Sequence, residues 1–391
     1  MYDVIVIGAG IIGSYTAKEL ARLGHSVAAL EKNPEPGCKT SCTGIVSQAC
    51  LDMLPGSHSA IQREARSATV FSPAGNHLRI KRETTQAYIL DRMALDRLVA
   101  EQAGQTGVEY FFSTPAIDLQ TDDRGVHVNA TRDARTLKLT ARACVIACGT
   151  APGLLRQLGM GRIRQYAHGA QAEVPCRNID EVEVYSGRHF APGFFAWLVP
   201  TMPGKAKAGL LSSTNPGTSI TNLLRYLERQ GKIQSASHYI SYGAIPLKPL
   251  TKTYNDRILV VGDAAGQVKP TTGGGIYFGL ICAGLAAQTL DESLRAGDLS
   301  ARRLALYQKR WHKILKHELD IDYWAHRFYQ GLTDKQVDHI FQVILRHGIH
   351  ESLLTSPDIT FDWHSKVIVD AIRHRSLQRS LEKFKLFRPP A

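Results

Sequence analysis

Six residues near the N-terminus, Gly8-Ala9-Gly10-Ile11-Ile12-Gly13, constrain this chain more than any other stretch. They follow a β-branched run, Tyr2 to Ile7, that reads as a strand buried on both faces. They open an apolar-periodic segment that predicts a helix from Ile11 to Leu23, stopped by Gly24. Ser26 to Glu31 is then a second strand. The unit is a complete βαβ of about 30 residues. In that context Gly8 permits the tight turn, Gly10 lets the backbone approach a pyrophosphate, and Gly13 lets helix and strand pack closely. The helix N-terminus offers free N–H groups and a positive dipole end to phosphates. Glu31 closes the second strand, where a carboxylate can accept from ribose hydroxyls; Lys32 beside it is a further cofactor-site candidate. The motif predicts a bound dinucleotide and does not say which.

The rest of the chain has the bulk for such a fold. At 391 residues and 44% hydrophobic composition it can bury a large core in one domain or two interlocked ones. Lys plus Arg exceed Asp plus Glu by 47 to 35, a net charge of +12. A basic surface suits an anionic partner such as a lipid surface or a phosphorylated substrate, or serves solubility alone. The basic residues are scattered, with no block resembling a nucleic-acid arm, so no nucleic-acid partner is expected. Seven cysteines and an N-terminus that enters a strand at once point to a reducing, cytoplasmic compartment without disulfides. No segment has the roughly 18 uninterrupted apolar residues that span a bilayer, so any membrane contact would be peripheral, at the cytoplasmic face.

The pattern changes along the chain. Residues 163–245 hold short alternating or aromatic segments, such as 182–185 and 194–198, punctuated by Pro and Gly, which predicts an antiparallel sheet. Residues 257–263 return to a parallel-strand pattern, and 304–387 read as mostly helical. The expected class is α/β with an α+β insert. A Rossmann-like cofactor domain (1–162 and 246–300) carries an inserted antiparallel-sheet substrate domain (163–245), followed by a helical C-terminal region (301–391).

Four segments name the dinucleotide. Tyr88-Ile89-Leu90-Asp91-Arg92 resembles the "DR" segment of the flavin monooxygenase and geranylgeranyl reductase superfamily, which shares the para-hydroxybenzoate hydroxylase fold. Cys144 to Gly149 resembles the strand that closes its FAD site, and Val261 to Gly266 its second fingerprint. Thr272-Gly273-Gly274-Gly275-Ile276 resembles the loop that brings backbone N–H groups to flavin and pyrophosphate. The resemblance implies FAD, with Arg92 near it, Gly149 at the closing strand and Asp263 on the ribityl chain. Taken singly each has an ordinary reading, Asp263 as a helix N-cap for example; the four in order do not.

Two further features are similar to the geranylgeranyl reductase branch. Residues 37–44 resemble its cysteine loop, with Cys42 before Thr43 and Gly44 reaching toward the flavin. Cys38 and Cys42, spaced CxxxC, are a conceivable redox pair or small buried hydrophobes. No metal site is expected. Phe195-Ala196-Trp197-Leu198-Val199-Pro200 resembles the aromatic-x-Trp-x-aromatic-Pro motif that shapes a long apolar cavity, so Phe195, Trp197 and Pro200 are expected to line the substrate pocket. Phe195 stands where that family has Tyr, and Val199 where it has Phe; flavin halogenases carry a related motif with two Trp. His168, His189 and His238 are weaker proton-donor candidates, and the cluster from Trp311 to Phe328 reads as a packed amphipathic helix that would also suit a membrane interface.

The resemblance implies an oxidoreductase that saturates carbon–carbon double bonds of a polyprenyl chain. Hydride would come from the reduced flavin N5, with Cys42 nearest the reacting centre. Its partners would be an isoprenoid or lipid substrate and an external electron donor: NAD(P)H, ferredoxin or another carrier. Two alternatives remain: a flavin monooxygenase of an aromatic or isoprenoid substrate, and a non-enzymatic flavoprotein that carries electrons or chaperones lipid.

Overall fold

The structure is a computed structural model that describes residues 1–38, 41–150, 153–354 and 360–382. The strand Tyr2–Ile7 lies at its centre. It pairs in parallel with Arg135–Ile146 on one side and Val27–Leu30 on the other. Ile258–Val260 and Glu109–Phe111 extend this parallel core outward. Both faces of the central strand are buried, as its unbroken apolar run requires. Val4 and Val6 face a core built with Leu20, Phe278, Ala286 and Trp311. Ile5 and Ile7 face a second core with Val126, Cys144 and Leu155.

The first helix runs Ile11–Arg22, one residue short of the expected end. Gly24 follows at φ +93°, and the N–H groups of Gly24 and His25 return to the carbonyls of Ala21 and Leu20. The helix packs against Arg92–Gln105 and Ile276–Arg295, which together cover one face of the sheet.

A second sheet has seven strands, in the order Ser241–Pro246, Tyr166–Pro175, Lys205–Ser212, Phe195–Pro200, Val182–Ser186, Ser67–Phe71, His77–Lys81. All its pairs are antiparallel except Val182–Ser186 with Ser67–Phe71. The substrate sheet therefore takes in residues 67–81, which fall within the span expected for the cofactor domain. Those short, polar, alternating strands bury no long apolar run of their own and complete an edge elsewhere. One face of this sheet, with Ala170, Ala172, Leu198 and Leu210, packs on Ile220, Leu223, Leu224 and Leu227 of the helix Pro216–Arg229.

The helix Ala301–Gly331 begins at Ser300, whose hydroxyl accepts from Arg303 N–H, and spans about 46 Å at 1.5 Å per residue. Its stretch up to Leu319 buries Trp311, Leu315 and Leu319 in the core of the cofactor domain. Its second half reaches the substrate sheet, where His326 stacks on Phe194 at 4.3 Å and the Tyr323 hydroxyl donates to Gln165. It straps the two sheets together. The helices Asp334–Arg346, Ile349–Leu354, Ser365–Arg373 and Arg375–Glu382 follow. The expected helical tract to residue 387 ends outside the described residues.

Candidate active site

Three loops form the candidate site, and two of them, the Cys42 loop and the Gly273 loop, touch the substrate sheet. The glycine loop comes first. A Cβ on Gly13 would overlap the carbonyl oxygen of Gly8, so the helix can sit this close to the turn only with glycine there. Gly10 faces open space and forms the N-cap of the first helix with no side-chain cap, leaving that end's N–H groups for a ligand. Glu31, 8% exposed, closes the turn from the other side. One of its oxygens accepts from Ala9 N–H at 2.9 Å; the other accepts from Asn33 N–H and its side-chain amide. A carboxylate has about four acceptor positions, so one remains for a ribose hydroxyl. Lys32 beside it is exposed.

The second loop carries Cys42, Thr43 and Gly44. It is wedged between the substrate sheet and Arg92. Thr43 donates to Gln171 of the sheet at 2.7 Å, and Ser41 meets Ser241 at 3.2 Å. Gly44 sits under Leu90: a Cβ there would lie 2.5 Å from the Leu90 carbonyl oxygen. Arg92 opens its helix just after Asp91, whose carboxylate caps Met93 and Ala94. Its guanidinium pairs with Asp96 at 3.1 Å and lies beside Cys42. Burial opposes its charge, but Asp96 and Cys42 more than offset this and hold it firmly protonated. Arg92 Nε is buried with no hydrogen-bond partner among the described residues. Lys39 and Thr40 of this loop lie outside the described residues.

The third loop is Gly273–Gly275 with Asp263. Burial raises the Asp263 carboxyl pKa, and the Arg92 charge works against that rise. Asp263 and Gly149 line a small cleft with Thr150, Arg162 and Tyr166. The glycines meet protein as well as space. A Cβ on Gly273 would lie 2.5 Å from Ile245, one on Gly274 2.8 Å from Lys269, and one on Gly275 2.8 Å from Asp263. Ile276 then begins a helix whose N-cap, Gly275, has no side-chain cap.

The sheet face beneath these loops is read from its register. Trp197, Gly209, Gln171 and Ser241 form one row across four strands; Phe195, Leu211, Gly169 and Gly243 share the same face. Gly209 exists for Trp197, because a Cβ there would lie 2.6 Å from the indole. The Trp197 Nε1 is buried and has no hydrogen-bond partner among the described residues. Pro200 departs from the expected lining. Alternation puts it with Ala196 and Leu198 on the opposite face, so it ends the strand rather than facing Trp197. His168 and His189 are exposed, and His238 bonds locally to Ser235 O; none joins the three loops.

Some residues of the site carry no signal in the sequence motifs. Lys207 donates from the sheet to the carbonyls of Cys42 and Thr43. Lys269 closes the glycine loop through two backbone bonds with Gly273 and Gly274, and its Nζ reaches the carbonyls of Phe361 and Asp362. Beneath that loop lie Glu318, Asp322 and His364, of which Asp322 is wholly buried. Glu318, Asp322 and His326 sit on the apolar stripe of the long helix with Leu315 and Leu319, a spacing that is visible in the sequence.

The fold and these loops define an oxidoreductase of the FAD-dependent kind. The unsatisfied Arg92 Nε, the uncapped helix ends at Gly10 and Gly275, and the open faces of Gly10 and Gly149 all fit that cofactor. Residues 3–69 match the FAD dependent oxidoreductase family model. The fold is that of a geranylgeranyl bacteriochlorophyll reductase-like protein from Thermoplasma acidophilum, with TM-score 0.87 and 21% identity over 99% of both chains. A flavin-dependent brominase, Bmp2, follows at TM-score 0.69 and 17% identity, over 98% of this chain and 99% of its own. The digeranylgeranylglycerophospholipid reductase 2 of Methanothermobacter thermautotrophicus is 32% identical over 87% of this chain and 91% of its own length. The corresponding reductase of Methanosarcina mazei is 30% identical over 87% of each. The chain belongs to the digeranylgeranylglycerophospholipid reductase family.

Proposed function

We propose that this chain saturates carbon–carbon double bonds in the geranylgeranyl chains of a glycerophospholipid. The observation that carries the reading is its 32% identity to a reductase of that name along nearly its whole length. The site is consistent with it. FAD, when bound, supplies the hydride and the electron chemistry. Gly8, Gly10 and Gly13 would take the pyrophosphate, Glu31 the ribose, Arg92 and Asp263 the middle of the cofactor, and the Gly273–Gly275 loop its flavin end.

The chain's own residues must then do three things. Phe195, Trp197 and Leu211 share one sheet face and offer apolar surface along which a prenyl chain can lie, with Gly209 making room for the Trp197 indole. The three loops exclude water from its upper side. Cys42, held at the seam between sheet and cofactor loops, is the residue assigned to protonate the second alkene carbon from its thiol. An isolated alkene accepts hydride poorly, so this proton and the alignment of the bond carry much of the catalytic burden.

Among the described residues no helix is long and apolar enough to cross a membrane. The net charge of +12 supports contact with an anionic lipid surface. The test is anaerobic turnover of a geranylgeranylated phospholipid with chemically reduced protein. Product mass rising by two hydrogens per bond is expected. Hydroxylated product with stoichiometric oxygen use would mean a monooxygenase, and bound FAD that never turns over a prenyl lipid would mean a carrier.

A further inference from the structure

Lys207 stands on the free face of the substrate sheet, in register with Val199 on one side and Glu173 on the other. It is 7% exposed. Its ammonium donates to the carbonyl oxygens of Cys42 at 3.4 Å and Thr43 at 3.1 Å. An ammonium has three N–H donors, so one is left over. Among the described residues it has no ion-pair partner. Arg92, on the other side of Cys42, is balanced by Asp96. Among the described residues the wall around Cys42 therefore carries one cation with no carboxylate in ion-pair contact, Glu173 and Asp91 acting on it from farther off.

A buried cation with no carboxylate in contact is costly, and the cost shows here: burial, joined by the Arg92 charge, pulls the Lys207 pKa down, with Cys42, Glu173 and Asp91 acting the other way. Such a charge is kept where a negative charge comes to meet it. Addition of two electrons and one proton to an oxidised flavin leaves one net negative charge, and the Cys42–Thr43 loop is the one assigned to the flavin.

We propose that Lys207 is a positioning residue that acts electrostatically. It holds the Cys42–Thr43 backbone, and its charge favours the two-electron-reduced state of the bound FAD. This rests on the FAD reading above and is independent of the prenyl substrate. The readout is the reduction equilibrium of the holoprotein, titrated anaerobically with dithionite against an indicator dye. Lys207→Gln keeps a donor to the carbonyls and removes the charge. It should disfavour reduction at least tenfold, about 30 mV more negative for a two-electron couple. Lys207→Arg keeps the charge and should stay within a factor of about two of the wild-type equilibrium. Lys207→Gln titrating with the wild-type equilibrium overturns the proposal, and so does a Lys207→Arg variant that falls as far as Lys207→Gln. A wild-type protein that takes up no FAD refutes the cofactor reading instead, before either variant is measured.

Discussion

Replacing Asp322 with Asn should make the protein more stable, and more so as pH rises. Asp322 lies on the inner face of the helix Ala301–Gly331 with 0% exposure, and among the described residues neither carboxylate oxygen has a hydrogen-bond partner. Burial, reinforced by Glu318 one turn back, pushes its pKa up to about 7; the nearby Thr271 hydroxyl and Lys269 oppose the rise without cancelling it. The groups around it are thus Glu318 on its own helix, Thr271 and Lys269 on the cofactor loop, and His364 on the C-terminal segment, 3.9 Å away. The His364 pKa is pushed down to about 4, first by burial and then by Lys269, so near neutral pH it brings no charge to help.

The sign follows from proton counting. An unfolded Asp titrates near 3.9, so between about pH 4 and pH 7 the folded protein binds one proton more than the unfolded chain. The stability that the neutral carboxyl confers is present in full below about pH 4 and is lost as pH rises through about 7. Three pKa units correspond to roughly 4 kcal/mol in all, of which about 2.5 kcal/mol falls between pH 5 and pH 8. Asn is neutral and nearly isosteric, and its amide can donate to Glu318, so it removes the loss. For a chain of this length, with an unfolding entropy of about 0.8 kcal/mol/K, about 2.5 kcal/mol amounts to a Tm gain of roughly 3 °C. Calorimetric scans of both proteins at pH 5 and pH 8 check it. Parallel Tm–pH profiles, or an Asn variant that is less stable at pH 8, would refute the neutral buried carboxyl.

Three further outcomes follow from the same geometry. Cys42→Ala should leave FAD absorbance intact and lower the anaerobic turnover of a prenyl lipid by about a hundredfold, the ordinary scale of one lost acid; full activity would remove Cys42 from the mechanism. Gly209→Ala inserts a methyl 2.6 Å from the Trp197 indole; a shifted tryptophan emission and a Michaelis constant raised about tenfold, with FAD affinity unchanged, are expected from an overpacking cost of about 1–3 kcal/mol. Lys269→Met cuts the tie between the cofactor loop and Phe361–Asp362, and fluorescence titration should show FAD binding weakened about tenfold, a loss of about 1.4 kcal/mol.

What was legible from the residues was whatever depends on neighbours in the chain. The run Tyr2–Ile7, the glycines at 8, 10 and 13 and the stop at Gly24 specify a βαβ unit because strand burial, turn conformation and helix termination are local matters. Alternation within residues 182–186 and 195–200 announced strands for the same reason. It also held the fact that Pro200 and Trp197 point to opposite faces, which the motif obscured. Partnership across distance was not legible. Ser67–Phe71 joins the substrate sheet only because Val182–Ser186 offers it an edge. Gly274 is required by Lys269 as much as by any ligand, and Gly209 by Trp197. Lys207 in sequence is one more lysine; only the fold brings it under the carbonyls of Cys42 and Thr43, more than 160 residues away in the chain, with no ion-pair partner among the described residues. The one-dimensional pattern decides which faces are buried, because periodicity is a property of the single strand or helix. Which charges meet inside is decided by packing, because burial removes the water that would otherwise make their positions indifferent.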